Sequence, residues 1–305
     1  MSAEIPLSVI TVSWNVKDLL LECIRSAAQS ANGMGFEHIV IDNASDDGSA
    51  AAVEREFPHV VLIRNQENTG FACANNIAAR RARGRYLLFL NPDTKVLDDA
   101  LPTMVGILDA QPQIGVLGSK LLTSDLSWSR DMGYRAPTLR TLINECLMLS
   151  RLIPIPALVP GIMRSADFEG LEECDWVSGA SMMVRREIPE MWNEEIFFFA
   201  EEIDYCDRVR QGGWKVCCTA DARVVHYSGS SMSKQSTDFL DGRTSGMAVY
   251  LRQHRGPATA TIGLQAIRLG YLSRIAYHRL AYRVSRNPAA LEKSRRLRQY
   301  LRLDA

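Results

Sequence analysis

Along the first 95 residues, short apolar runs alternate with stretches whose apolar positions recur every three or four residues. Residues 7–14, 37–42, 60–63 and 86–90 are rich in Val, Ile and Leu and read as four buried strands. Between them, residues 16–30 gather Leu19, Leu20, Cys23, Ile24 and Ala27 at helical spacing, and residues 49–57 and 70–83 read as two more helices. Continuous apolar strands separated by helices predict an α/β fold with a mostly parallel sheet covered on both faces. Ligands of such sheets bind at the carboxyl ends of the strands. That directs attention to Trp14 and Asn15, to Asp42 and Asn43, and to residues 91–93.

Beyond residue 95 the alternation loosens. Residues 98–110 read as a helix, 114–122 as a strand, 176–185 as a strand-like run, 201–211 as a short helix and 214–227 as mostly strand. Residues 123–172 read as irregular and loop-rich. From about residue 236 onward the pattern is helical.

The chain has 305 residues, 47% of them hydrophobic, enough for one large domain or two packed ones with a sizeable core. Lys+Arg and Asp+Glu are both 35, so no global polyanion binding is expected and nucleic acid is excluded as a partner. The charge is uneven. Residues 243–305 hold 13 Lys/Arg against 2 Asp/Glu, a net of 13 − 2 = +11, which leaves −11 on the rest. A basic tail on an acidic body predicts a surface partner for the tail. Seven cysteines without a C-x-x-C pair predict a reduced, cytoplasmic chain. The first residues run straight into a strand, so no signal peptide is expected. The longest uncharged apolar stretch, 152–163, is broken by Pro154, Pro156 and Pro160 and does not predict a membrane span.

Neither a G-x-G-x-x-G nor a P-loop pattern occurs, and the polar residues collect at strand ends instead. Asp42 opens the segment Asp42-Asn-Ala-Ser-Asp-Asp-Gly-Ser49. A carboxylate there can accept the imide N–H of uracil or thymine, or the segment can be an ordinary turn. Asp93, in Leu90-Asn-Pro-Asp-Thr94, can hold a divalent ion or cap the helix after Lys95. Three aromatics deliver Glu201, Glu202 and Asp204 close together, where mutual repulsion and burial raise carboxyl pKa values toward those of a general base. The same acids suit a helix N-terminus. His226 follows two valines and reads as a metal ligand, a phosphate contact or a structural histidine. Asn68 and Gly70 fit a capped helix start whose N–H groups could take an anion. The pair Asn75 and Asn76 is not explained by capping.

Taken in order, Val12-Ser-Trp-Asn15, Asp42-Asn-Ala-Ser45, Asn68-Thr-Gly-Phe71, Leu90-Asn-Pro-Asp93, Trp176-Val-Ser-Gly-Ala180, Phe198-Phe-Ala-Glu-Glu-Ile-Asp204, Gly213-Trp214 and His226 resemble the family 2 glycosyltransferases of GT-A fold, in particular their bacterial rhamnosyltransferase-like branch. The match spans roughly residues 5–232. The resemblance implies a nucleotide-sugar-binding half in residues 1–95, an acceptor-binding half in 96–235 and a basic helical extension in 236–305. It also implies an inverting transferase with a nucleotide-diphosphate sugar donor and Mn²⁺ or Mg²⁺.

In that comparison Val12, Ser13, Trp14, Asn15, Asp42, Asn68, Gly70, Asn75, Asn91 and Asp93 line the donor site, with Asp42 on the base. Asn91 takes the first position of the family's D-x-D, leaving Asp93 as its one carboxylate, and His226 matches a histidine that completes the metal site in some relatives. Trp176, Gly179 and Ala180 would line the acceptor cleft, with core packing the alternative for Trp176, and the 123–172 loops would cover the donor and shape the acceptor site. Glu202 would be the base, with Glu201 and Asp204 as the alternatives.

Rhamnose from dTDP-rhamnose is the donor that this branch favours, with a saccharide or polyprenyl-linked acceptor in cell-wall or surface polysaccharide synthesis. A UDP-hexose transferase of the same fold and a non-catalytic sugar-binding scaffold are the alternatives. A nucleotidyltransferase would carry a glycine-rich phosphate loop near residue 15, which is not present. The arginines at 268, 274, 279, 283, 286, 295, 296, 298 and 302 leave three roles for the tail: an anionic membrane surface, making the chain peripheral on the inner face of the cell membrane; packing on the catalytic body; or homodimerisation. On a helical wheel Leu272 and Ile275 fall beside Arg268 and Arg279, so a purely interfacial helix is not expected.

Overall fold

The computed structural model describes residues 5–129, 133–147, 169–197, 199–227 and 238–299. Its strands are β1 (Leu7–Ser13), β2 (Phe36–Asp42), β3 (Val61–Arg64), β4 (Tyr86–Leu90), β5 (Thr94–Val96), β6 (Ile114–Leu122), β7 (Gly133–Tyr134), β8 (Leu171–Cys174), β9 (Trp176–Val177), β10 (Ser181–Arg185) and β11 (Lys215–His226). Its helices are α1 (Lys17–Ser30), α2 (Ser49–Glu56), α3 (Phe71–Ala79), α4 (Ala100–Ala110), α5 (Leu139–Leu147), α6 (Glu201–Gln211), α7 (Asp238–Arg255), α8 (Pro257–Ser285) and α9 (Pro288–Gln299).

The described residues form two compact units. The first takes those up to Arg135 with 169–197 and 201–227; the second takes 136–147, 199–200 and 238–299. The first unit carries a nine-stranded sheet in the order β3-β2-β1-β4-β10-β6-β11-β5, with β8 also paired to β11. β1, β2, β3, β4, β6 and β11 share one direction; β5, β8 and β10 oppose it. The sheet is therefore mixed, with the parallel block the sequence pattern predicts running from the β3 edge to β4, next to the antiparallel β10.

Continuous apolar strands pack on both faces. Leu20, Leu21, Ile24, Val40, Ala52, Val53, Phe57 and Val60 bury one side beneath α1 and α2. A larger cluster, including Val9, Ile39, Ile41, Ala74, Ala78, Leu88, Met182 and Val216, fills the rest. Fully burying a Leu or Ile side chain stabilises by roughly 1.5–3 kcal/mol, so these clusters carry the unit.

Three expectations change. Residues 123–172 are not wholly irregular, since they hold α5 and the short β7, which pairs with β9. The amphipathic sequence Leu139-Arg-Thr-Leu-Ile-Asn-Glu-Cys-Leu147 supports that helix, and the surrounding polar and proline residues mask its period. The strand-like run 176–185 is broken at 178–180, where Gly179 interrupts it. Asp93 does not cap a helix: β5 follows it, and Asp99 stands at the start of α4. The proline-bearing run 152–163, most of the proposed donor-covering loops and residues 228–231 lie outside the described residues.

Candidate active site

Parallel strands deliver the candidate residues to one edge of the sheet. β2, β1 and β4 lie side by side, and Ser13 stands opposite Asp42 in the ladder. β10 runs back from the same edge, with Ser181 opposite Leu90, so residues 178–180 lie there too. The Asn91 amide donates to the Ala180 carbonyl at 3.0 Å. β11 arrives last and ends on His226.

Asp42 is only 5% exposed, and its Oδ1 has no hydrogen-bond partner among the described residues. A buried carboxylate oxygen without a donor is costly unless a ligand supplies one. The next residue, Asn43, is the hub of the exit loop. Its Oδ1 accepts from Asn65 Nδ2 at 2.9 Å and from the Thr69 amide at 3.2 Å, and its Nδ2 donates to Asn68 Oδ1 at 2.8 Å. Asn68 Oδ1 also accepts the Gly70 amide at 3.0 Å, so that N–H is already used and does not wait for an anion.

The β1 exit is laced to the same loop. Val12 and Trp14 are partly exposed and Ser13 is buried. Asn15, at φ 55°, donates its amide to Ser45 Oγ at 3.0 Å and accepts the Asp46 amide on Oδ1 at 2.8 Å. Burial alone would raise the Asp47 carboxyl; hydrogen bonds from the Ser49 hydroxyl and from the Lys17 and Ser49 amides outweigh it and leave the group below its ordinary range.

Asp93 and His226 are brought together. The β5–β11 ladder sets His226 opposite Thr94, and the Tyr227 amide donates to the Asp93 carbonyl at 2.9 Å. His226 Nε2 then lies 3.3 Å from Asp93 Oδ1, with both side chains largely buried. The turn between them and β4 is held by the Thr94 hydroxyl, which donates to the Asn91 carbonyl at 2.7 Å, and by the Cys23 thiol, which reaches the same carbonyl at 3.5 Å. Burial raises that thiol to about 12 and keeps it neutral. Among the described residues no group of three or more His, Cys, Asp and Glu side chains has metal-binding geometry. A carboxylate and an imidazole side by side could supply two ligands to a divalent cation, which would need further oxygen ligands to complete its shell.

The acidic helix start is strained. Phe199 and Ala200, immediately before α6, have φ of 63° and 76°, in the left-handed region. Such backbone costs on the order of 1–3 kcal/mol per residue and persists where surrounding structure holds it. Glu201 is buried, and its Oε2 has no hydrogen-bond partner among the described residues. Burial first, and the Glu202 charge second, push its carboxyl well above the usual range. Glu202 is half-buried and sits beside the sheet edge: a Cβ added to Gly179 would lie 3.7 Å from the Glu202 Cβ and 3.9 Å from the Phe71 ring. Asp204, fully buried, is held in an ion pair with Arg208 at 2.8 Å, and that guanidinium also donates to the Met191 carbonyl at 2.6 Å.

Asp42, Asn91, Asp93, Gly179, Ala180, Glu202 and His226 thus share one edge, with Asn68 and Gly70 bracing it. The buried Asn75 instead turns its Nδ2 back to the Phe71 carbonyl at 3.0 Å. Asn76 pins the Trp192 backbone in both directions, at 2.9 Å each. Trp176 is partly exposed, packs against the core and donates its indole N–H to the Arg135 carbonyl at 3.1 Å. Two aromatics at the site carry no assigned role in the sequence reading. Phe71 faces Gly179, and the exposed Phe197 lies over Gly70, where a Cβ would meet its ring at 2.8 Å.

Residues 8–167 match the protein family described as Glycosyl transferase family 2. A putative teichuronic acid biosynthesis glycosyltransferase, TuaG, of Bacillus subtilis (strain 168) is 36% identical over 99 residues, which cover 31% of this chain and 38% of that protein. An N-acetylglucosaminyl-diphospho-decaprenol L-rhamnosyltransferase of Mycobacterium tuberculosis is 21% identical over 251 residues, 72% of this chain and 75% of that one. Three curated relatives at 30–36% identity are matched over only 29–38% of their own length. Among solved structures, the mannosyltransferase PcManGT from Pyrobaculum calidifontis in complex with GDP-Man and Mn²⁺ superposes with a TM-score of 0.57 at 17% identity, covering 99% of this chain and 84% of that one.

Proposed function

The chain belongs to glycosyl transferase family 2 and has the GT-A fold, and on that premise we propose that it is an inverting glycosyltransferase of cell-wall or surface polysaccharide synthesis. The observation that carries this reading is the convergence on one sheet edge of the buried Asp42 carboxylate oxygen, which has no hydrogen-bond partner among the described residues, a carboxylate–imidazole pair and Glu202.

Asp42 accepts the imide N–H of a uracil or thymine base, held in place by the Asn43 network. Asp93 and His226 would hold the divalent cation, and an imidazole ligand favours Mn²⁺ over Mg²⁺. That cation, when bound, neutralises charge on the leaving diphosphate. The acceptor sugar approaches Glu202 beside Gly179, whose position brings Glu202 and the Phe71 ring next to each other. Glu202 takes the proton of the acceptor hydroxyl as its oxygen bonds to the anomeric carbon, and the bond from that carbon to the diphosphate oxygen breaks on the opposite face. Asp204 is unsuited to the role because its buried carboxylate is taken up by the ion pair with Arg208. Burial and the Glu202 charge make Glu201 the harder of the two to ionise, which leaves less repulsion on its neighbour.

The likeness to the mycobacterial L-rhamnosyltransferase supports rhamnose as the sugar and a lipid-linked saccharide as acceptor, and a pyrimidine-binding Asp42 fits dTDP-rhamnose as the donor. Thermal-shift titrations with dTDP, UDP and GDP in Mn²⁺ test the base, because a ligand of the native state raises the melting temperature. Stabilisation by dTDP and release of dTDP from dTDP-rhamnose support the proposal. Stabilisation by UDP alone moves the donor to a UDP-hexose. Stabilisation by GDP alone, or by none of the three, overturns the role given to Asp42.

A further inference from the structure

We propose that the outward face of α8 docks on an anionic phospholipid bilayer. α8 has 29 residues, a rod of about 43 Å. Within the second unit it packs against α5, α7 and α9, and its own buried residues are Ala260, Gly263, Gly270 and Ile275. The opposite side carries Ile262, Leu269, Leu272, Tyr277, Leu280 and Val284, exposed by 50% to 80%. Ten large hydrophobics are exposed among the described residues, and six of them are these. Singly scattered apolar residues need no explanation, but a concentration on one helix does.

The six form a stripe. At about 100° per residue, Ile262, Leu269, Leu280 and Val284 fall within roughly 60° of one another, and Leu272 and Tyr277 flank them. The stripe runs roughly 33 Å along the helix. The sequence pattern alone hides it, because Arg279 and Arg283 share the sector of Leu272. Only the packing of α5, α7 and α9 reveals which sector is left outside.

Charge selects the occupant. α8 contains four arginines and no Asp or Glu, and Arg279, Arg283 and Arg286 are exposed at the margin of the stripe. Long guanidinium side chains reach headgroup phosphates while neighbouring Leu, Ile and Val enter the acyl boundary. A nucleic acid would leave the apolar stripe in water. Among the described residues no helix is long and apolar enough to cross a membrane, so α8 would lie in the plane of the interface. This inference does not depend on the assignments at the sheet edge.

The test is co-sedimentation of the full chain with vesicles of phosphatidylcholine, with and without phosphatidylglycerol, at low and high salt. The wild type should bind the phosphatidylglycerol vesicles and release at high salt. A Leu269→Gln/Leu280→Gln/Val284→Gln variant should bind at least tenfold more weakly, and Arg279→Gln/Arg283→Gln/Arg286→Gln should lose on the order of a hundredfold at low salt. Both should keep wild-type circular dichroism and donor hydrolysis; if the first triple variant does not fold, Val284→Gln alone, at the most exposed position, replaces it. Wild-type protein that ignores anionic vesicles, or an apolar variant that binds them as well as wild type, overturns the proposal. So does a wild-type dimer by light scattering that the apolar variant splits without any vesicle binding, since the face then belongs to a second copy.

Discussion

His226 Nε2 lies 3.3 Å from Asp93 Oδ1 because β5 and the last residues of β11 pair antiparallel immediately beside them. The ladder, rather than either loop, sets that distance. His226→Ala should therefore leave the fold intact while Mn²⁺-dependent turnover falls on the order of 10²-fold, the scale for losing one group that stabilises developing charge. Mn²⁺ titration in the presence of the nucleotide checks it. Unchanged metal affinity in both His226→Ala and Asp93→Asn would remove the cation from this pair.

Glu202 and Asp204 lie on one helix turn and should fail differently. Glu202→Gln is expected to lower kcat by ~10²–10⁴-fold with nucleotide affinity and melting temperature near wild type. Asp204→Asn leaves Arg208 without its buried partner and should cost stability near the lower end of the ~3–5 kcal/mol range, since Arg208 keeps 28% of its side chain exposed. Denaturant unfolding and single-turnover transfer, measured on both variants, separate the roles. A Glu202→Gln enzyme at full rate ends its candidacy as the base.

Gly70 has φ 82° and ψ 172°, backbone that glycine tolerates and other residues do not, and Phe197 lies against it. Gly70→Ala should cost about 1–3 kcal/mol and weaken nucleotide affinity, because the Asn43 and Asn68 network is tied to that residue. Adding Phe197→Ala removes the clash but not the backbone strain. The double variant should thus recover only part of the loss, read by urea unfolding. Complete recovery would mean that the ring contact alone requires glycine.

The strand-by-strand layout of the first 90 residues was legible because buried parallel strands are continuous apolar runs and their helices keep a 3.6-residue period. The edge that gathers Asp42, Asn91 and Asp93 followed from that layout. What sequence could not supply were partners distant along the chain. Asp204 looks as acidic as Glu202 until Arg208 and the Met191 carbonyl are seen to hold it. The sequence does not give the Nδ2 bond of Asn75, read as a donor-site residue, to the Phe71 carbonyl, nor the bonds of Asn76 to the Trp192 backbone. α5 was hidden because a nine-residue helix among polar and proline residues offers too few turns to establish a period. The apolar stripe of α8 was hidden because arginines share its sector.

Asn76 is 1% exposed and joins α3 to the segment around Trp192, with a further bond from its Nδ2 to Glu194 Oε1 at 2.7 Å. Asn76→Ala strands the Trp192 N–H and C=O. Each buried group left unpaired costs about 1–3 kcal/mol, so the variant should unfold at clearly lower urea. Because Trp192 packs edge-on against Phe71, at 5.4 Å between ring centroids, the ring beside Gly179 should also loosen and KM for the acceptor should rise. Wild-type stability in Asn76→Ala would mean that the Trp192 backbone finds other partners.

Glu201 links the site to pH. Burial, then the Glu202 charge, raises its carboxyl well above the ordinary Glu value. Between that ordinary value, about 4.3, and the raised one, the folded chain keeps a proton that the unfolded chain has lost. Stability from this group is complete at low pH and is lost as pH climbs through the raised value, with a slope of at most about 1.4 kcal/mol per pH unit. Glu201→Gln mimics the protonated state at every pH and removes the slope. The variant should gain on wild type in melting temperature as buffers move from about pH 5 to about pH 8, and the gain should shrink when Glu202→Gln is added, because the charge that opposes Glu201 ionisation is gone. A melting-temperature difference that stays flat across that span would mean Glu201 ionises at its ordinary pH in the folded chain, and Glu202 would then work beside a full negative charge.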